Sequence, residues 1–265
     1  MDNVSTNLPR VTVSSVADLM GCSKKFSELR IKKNWPKGRS GLPISVPRGS
    51  AIHDAMRSLH AARWEGTLPV ADLPAMAREA VYRARYDYGT DKYDETARVI
   101  AACKLFCDNQ DREDIDAIIA LETQIEFEYA YQGEPLCCIS AVIDRALVRA
   151  DQPDRLVIQD LKTTSQRVDL QECFLQLWCA KQKWPGYDNY ALEFIWLDVE
   201  QNQVTVDVID CCEVKGQLKL LTAALLRVLH SEPVAEPGVA CTFCPLRGEC
   251  QGVEGVSLAD GEDVF

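Results

Sequence analysis

Ala141-Val142-Ile143-Asp144-Arg145, and then Leu156-Val157-Ile158-Gln159-Asp160-Leu161-Lys162-Thr163-Thr164, are the stretches on which the reading of this chain turns. Each is a short apolar run rich in β-branched residues that closes on a carboxylate, the pattern of a buried strand ending in a polar site. Asp160 and Lys162 stand two apart, so on a strand their side chains leave the same face. A hairpin would set Asp144 across from Asp160. Two carboxylates so placed suit a hard divalent cation, which binds through oxygen. A lysine beside them can orient a water, and the set fits metal-assisted hydrolysis of a phosphodiester.

Outward from this centre, strands and helices interleave. Gln124 to Tyr131 alternates polar and apolar residues as a strand does, with a turn at Gly133-Glu134-Pro135. Cys138 to Val148 and Leu156 to Leu161 follow as strands, Leu170 to Lys183 as a helix, and Tyr190 to Leu197 and Val204 to Ile209 as strands. Glu213 to His230 reads as a long amphipathic helix. Upstream, Ser15 and Asp18 have capping-box form ahead of Val16, Leu19 and Met20, predicting a first helix. Pro36 to Pro47 is a connection, and Ser50 to Ala62 a second helix with Ile52, Met56 and Leu59 on one stripe. Residues 72–119 read as two or three further helices, with Gly89 as the break. The expectation is one α/β domain over 1–265, with a mixed central sheet, a helical insertion at about 66–119, a cysteine loop at 241–250 and an acidic tail at 251–265.

The chain has 265 residues, 47% hydrophobic and 26% charged, a composition that excludes disorder and fibrous repeats. No window offers the roughly eighteen apolar residues of a bilayer span, and Met1 to Arg10 has no secretory pattern. The twelve cysteines are therefore expected in a reducing, intracellular setting, as buried small residues or metal ligands rather than disulfides. Net charge is −11, yet residues 1–48 carry nine basic residues against three acidic ones, a local +6. Lys24, Lys25, Arg30, Lys32, Lys33 and Arg48 are the candidates for a phosphate track; a solvated helix face accounts for the same charges.

Three further sites stand out. Gly49-Ser50-Ala51-Ile52-His53 puts an imidazole near a helix start after a residue that allows close approach of backbone, and imidazole favours Mn²⁺ over Mg²⁺ alone. Gln176 sits mid-helix, where its amide could bond a phosphate or a catalytic group, although such a glutamine is solvated by default. Cys241-Thr242-Phe243-Cys244 with Cys250 groups three thiols within ten residues. Metal centres of thiolates usually want four, and Cys22 is the candidate fourth; zinc and iron–sulfur both fit this spacing.

In chain order these residues resemble the RecB-type branch of the PD-(D/E)XK nuclease superfamily, in its iron–sulfur members such as the AddB nuclease domain and the CRISPR-adaptation nucleases. Gly49-x3-His53 resembles their G-x3-H motif and Ile143-Asp144-Arg145 their G-x-I-D-R strand, with Ala141 in the place of Gly. Asp160-Leu161-Lys162-Thr163 resembles D-x-K-T, and Gln176 the following Q-motif, with Ala180 where a Tyr is usual. Cys22, Cys241, Cys244 and Cys250 resemble the cluster ligands. The resemblance spans residues 14–250 and leaves only 72–119 without a motif.

It implies a restriction-endonuclease-like core and a [4Fe–4S] cluster stapling the termini. It also implies a Mn²⁺- or Mg²⁺-dependent deoxyribonuclease acting on single-stranded ends, leaving a 5′-phosphate. In that scheme His53, Asp144, Asp160 and the Leu161 carbonyl hold the ion, Lys162 positions water, and Gln176 steadies DNA or the site. No helicase Walker motif is present, and partners in recombination, repair or CRISPR adaptation are expected. A DNA-binding scaffold that has lost turnover is the rival reading.

Overall fold

The computed structural model describes residues 8–33, 45–64, 73–88, 96–110, 115–162, 169–210 and 216–236, with Cys241, Cys244, Leu246 and Cys250. Thr163-Thr164, Gly89, most of the Pro36–Pro47 connection, Cys211, Cys212 and the tail lie outside the described residues. The elements run β1 (Arg10–Thr12), α1 (Val13–Gly21), α2 (Ser23–Phe26), a π-helical turn (Ser27–Ile31), α3 (Ser45–Trp64), α4 (Leu73–Tyr88) and α5 (Thr96–Gln110). Then come β2 (Ile115–Tyr131), β3 (Glu134–Arg149), β4 (Gln152–Lys162), α6 (Leu170–Lys183), β5 (Asn189–Asp198), β6 (Gln203–Asp210) and α7 (Gln217–His230).

The strands form one six-stranded sheet in the order β1-β3-β4-β5-β6, with β2 also paired to β3. β3 and β4 are antiparallel, β4 and β5 parallel through the α6 crossover, and β5 and β6 antiparallel. This mixed sheet with packed helices is the architecture expected of a restriction-endonuclease-like core.

By its internal packing the chain divides into two units. One holds Met1–Gly38, Phe127–Ile139 and Gly216–Phe265; the other holds Arg39–Glu126 and Ser140–Lys215. In the larger unit, neighbours on β4 point to opposite sides. Leu161, with Ile195 and Leu197 of β5, packs into a core built from Ala51, Ile52, Ala55 and Met56 of α3, Ala77 to Val81 of α4, and Val99 to Phe106 of α5. Asp160 points to the other side, toward α6 and its Gln176.

A polar row crosses the sheet of this unit. Arg145, only 2% exposed, donates from Nε to Gln159 Oε1 at 2.5 Å; Gln159 Nε2 donates to Glu193 Oε2 at 2.9 Å. Glu193 takes two further bonds from Arg149, at 2.5 and 2.9 Å. Burial by itself would raise the Glu193 pKa, but the bonds from Arg149 and Gln159 reverse this and hold it below the usual carboxylate range. The row lets an arginine be buried next to Asp144 with its charge answered.

In the smaller unit, α1 is capped three residues earlier than the Ser15/Asp18 pattern implies. Thr12 is the cap, and its N–H donates to Ser15 Oγ at 2.8 Å. Asp18 serves instead as an acceptor for Lys25 (2.7 Å) and Arg30 (3.2 Å). The β2–β3 turn falls on Gln132 and Gly133, both in left-handed backbone (φ 54° and 87°), one residue ahead of the expected turn. In the larger unit, helix α3 begins five residues before the expected Ser50. It takes in Pro47, tolerable in a first turn where N–H groups have no helical partner.

Ser23 ties the start of this unit to its end. Its hydroxyl donates to Val234 O and accepts from Val234 N–H, both at 3.0 Å, and Lys24 N–H donates to the same carbonyl at 3.2 Å. Ser23→Ala removes both side-chain bonds and is expected to cost about 1–3 kcal/mol. Thermal melting and amide exchange check this. Faster exchange at 231–236 is the expected local sign, and unchanged melting and exchange would contradict it.

Candidate active site

The β3–β4 ladder registers Arg145 against Gln159 and runs to Arg149 against Gln152, so one step beyond Arg145 brings Asp144 level with Asp160. There the side chain takes over from the main chain. Leu161 N–H donates to Asp144 Oδ2 at 2.8 Å, a bond that a continuing ladder would have given to a β3 carbonyl. The strands part at the point where both carboxylates stand. Leu161 enters the site here through its N–H.

On the α6 side, Asp160 Oδ2 accepts from Gln176 Nε2 at 2.8 Å and pairs with Lys162 Nζ at 2.9 Å. Gln176 is 4% exposed, so the solvated position expected of a mid-helix glutamine is wrong for it. Helix α6 presents it because Asp169 caps that helix by accepting from the N–H groups of Gln171 and Glu172. Lys162 lies over the Phe194 ring at 5.4 Å. Burial would lower its pKa, but Asp160 chiefly, with Glu172 and Asp144, holds it above the usual lysine value. Lys162 is thus an ammonium, fit to donate hydrogen bonds rather than to abstract a proton.

His53 of α3 reaches the same corner. Its Nδ1 is 3.6 Å from Asp144 Oδ2 and 3.7 Å from Glu122 Oε1. His53, Glu122 and Asp144 each offer a ligand atom within 4.8 Å of the others, and among the described residues they are the one such group of His, Cys, Asp and Glu. Asp160 is not a member of this group. Glu122 is the residue that the sequence reading lacks. It ends an apolar run, Ile118-Ile119-Ala120-Leu121, just as Asp144 ends Ala141-Val142-Ile143; the same criterion applied to β2 finds it.

Glu122 also has left-handed backbone in mid-strand (φ 42°), a conformation costing about 1–3 kcal/mol in a non-glycine residue. Inside a strand such a residue re-aims its side chain.

The electrostatics fit a cation. Burial pushes Asp144 up to about 7, with Asp160 and Glu122 adding to the rise and His53 opposing it. For His53, burial acts downward, but Glu122, Asp144 and Asp160 together raise it to about 9. One nitrogen and two carboxylates of opposed preference form a donor set suited to a divalent ion, Mn²⁺ in particular.

In the smaller unit, Cys22 caps α2, accepting from Lys25 N–H at 3.4 Å. Cys244 is raised mainly by burial; the Leu246 N–H and Lys25 act downward, and the nearby Cys22 and Cys241 thiols act upward. Cys244 N–H donates to Cys241 O at 3.2 Å, so these two share one turn, but no three described cysteines bring their sulfurs within 4.8 Å of one another. Cys250 is half-buried, and the ten described cysteines, these four among them, form no disulfide. Of the basic candidates, Lys25 and Arg30 are bound to Asp18, and Lys32 to Glu28 at 2.6 Å. Lys24 is half-buried, Lys33 is exposed, and the Arg48 side chain lies outside the described residues. No helix among the described residues is long and apolar enough to cross a membrane.

A cation bound by His53 must displace the proton that the free protein holds there up to about pH 9. Affinity for Mn²⁺ is therefore expected to tighten as pH rises from about 7 toward 9, with release of protons. Calorimetry in two buffers of different ionisation enthalpy measures this. A buffer-independent heat, or an affinity flat with pH, would contradict it.

Among solved structures, the chain is similar to a protein from Eubacterium rectale named for a presumed exonuclease activity, at 12% identity and a TM-score of 0.49. The match covers 92% of this chain and 94% of that one. It is also similar to the crystal structure of SSO0001, at 12% identity and a TM-score of 0.39, covering 90% of this chain and 97% of that one. No curated protein sequence matches it. Residues 10–251 match the family model of the PD-(D/E)XK nuclease superfamily, and the chain belongs to that superfamily.

Proposed function

We propose that the protein is a Mg²⁺- or Mn²⁺-dependent deoxyribonuclease that degrades single-stranded DNA from its ends and carries a [4Fe–4S] cluster. The observation that carries the catalytic part is the meeting of His53, Glu122 and Asp144 beside the bonded set Asp160–Lys162–Gln176. The preference for ends and for single strands rests on the motif resemblance.

His53, Glu122 and Asp144, with Asp160, would hold the ion; the Leu161 carbonyl is a further donor on the family pattern. A bound divalent ion polarises the scissile phosphate and makes water a competent nucleophile near neutral pH. Lys162, held protonated by Asp160, would orient the attacking water and answer charge on the phosphate. Gln176 fixes Asp160 in place, so its effect on the reaction passes through that carboxylate. In-line attack would leave a 5′-phosphate.

Cys22, Cys241, Cys244 and Cys250 would hold the cluster. Supporting this are the turn shared by Cys241 and Cys244 and the bonds of Ser23 and Lys24 to Val234, which hold the first cysteine segment to the chain leading into the last. Twelve cysteines used as small buried residues or metal ligands suit an intracellular, reducing compartment.

Asp160→Ala and Lys162→Ala are expected to lower cleavage of end-labelled single strands by about 100-fold or more, with folding unchanged. A circular single strand should resist the wild type. Cleavage surviving both changes would refute the site, and cutting of the circle would refute the exonuclease reading. Anaerobically purified protein should be brown with bound iron and sulfide, and Cys250→Ser should lose the colour. Stoichiometric zinc instead would refute the cluster.

A further inference from the structure

Three carboxylates at the site, Glu122, Asp144 and Asp160, face a single ammonium, Lys162. A chain of net −11 that acts on a polyanion needs cations close to that centre. In the basic segment, Lys25, Arg30 and Lys32 are engaged with its own carboxylates. Within the catalytic unit, helix α3 supplies a cation. Arg57 stands four residues after His53, hence on the same face of α3 and one turn along, about 5–6 Å away at Cβ. With Glu122 and Asp144 it lines the cleft at the parting strands.

Arg57 Nη2 contacts Asp54 Oδ1, and Arg83 of α4 approaches Asp54 Oδ2 from Nε at 3.8 Å. One carboxylate shared by two guanidiniums leaves a net positive charge beside the cleft. Both arginine side chains are about half exposed, at 56% and 49%, so their remaining N–H donors face solvent. Guanidinium groups present paired donors that match phosphate oxygens. As a brace between α3 and α4 the trio contributes little, since exposed ion pairs are worth about 0–1 kcal/mol.

We propose that Arg57 and Arg83, held by Asp54, form a clamp for a backbone phosphate of the DNA strand next to the phosphate being cut. The proposal rests on the nuclease reading above and adds to it the residues that hold the substrate. Asp54 is a positioning residue: it aims both arginines without touching DNA.

Fluorescence anisotropy with a labelled oligothymidylate in EDTA, where no metal-dependent cleavage proceeds, tests the clamp over a range of salt. Arg57→Gln and Arg83→Gln are each expected to weaken binding several-fold. Each should also reduce the slope of log affinity against log salt by about 0.7, the loss of one phosphate contact on a single strand. In cleavage assays KM should rise more than kcat falls. Arg98→Gln, which breaks an exposed pair with Glu200, should leave affinity and slope unchanged, and Mn²⁺ affinity should be the same in all variants.

Wild-type affinity and slope in both arginine variants, in a protein that cleaves DNA, would overturn the clamp and leave the nuclease reading standing. Affinity lost only in step with a lowered melting temperature, in Asp54→Asn as in the arginine variants, would mark the trio as a brace and overturn the clamp. A wild type that neither binds nor cleaves DNA would remove the nuclease reading, and the clamp with it.

Discussion

The hydrogen bond from Leu161 N–H to Asp144 Oδ2 is the constraint on which the site depends. A buried main-chain donor must find an acceptor. Where β3 and β4 separate, the acceptor is a carboxylate instead of a carbonyl, so the end of the ladder and the placement of Asp144 are one event. With Asp144 fixed, the alternation of β4 sends Asp160 toward α6 and Leu161 into the helical core. The strand that carries the chemistry is thus clamped by apolar packing on one side and by Gln176 on the other.

Gathering carboxylates at a parting of strands is electrostatically unfavourable without a counter-charge. The rises in Asp144 and His53 reflect that tension: burial and the neighbouring carboxylates raise Asp144, and the same cluster of carboxylates raises His53 against the effect of burial. A divalent ion would relieve it, and the strained left-handed backbone of Glu122, which adds a carboxylate to this corner, is tolerable only if its aim is needed. Beneath, the row from Arg145 to Arg149 keeps charge balanced one layer away. Two opposite demands are met side by side: a satisfied polar row under the strands and an unsatisfied acidic corner at their end.

Much of this was legible in the residues. The strands around Asp144 and Asp160 and helix α6 announce themselves because apolar runs, period-2 alternation and a capped amphipathic stretch are local signals. The pairing of Asp160 with Lys162 follows from the two-residue repeat. Glu122 escapes because residues up to 119 read as helix and the strand as starting at Gln124, whereas β2 begins at Ile115 and runs through it. The local +6 of the basic stretch leaves a related question open. Charge counts along a segment do not reveal that Asp18 and Glu28 fold back onto Lys25, Arg30 and Lys32. Nor could they reveal that Asp54 gathers two arginines from separate helices, since that depends on how α3 meets α4.

The proposed chemistry requires one cation lying between α3, β2 and β3. Anomalous diffraction from crystals soaked in Mn²⁺ tests this directly. A peak bonded to His53, Glu122 and Asp144, absent in Glu122→Ala, is the expected result. An ion bound elsewhere, or one that leaves Glu122 out of its shell, would contradict it.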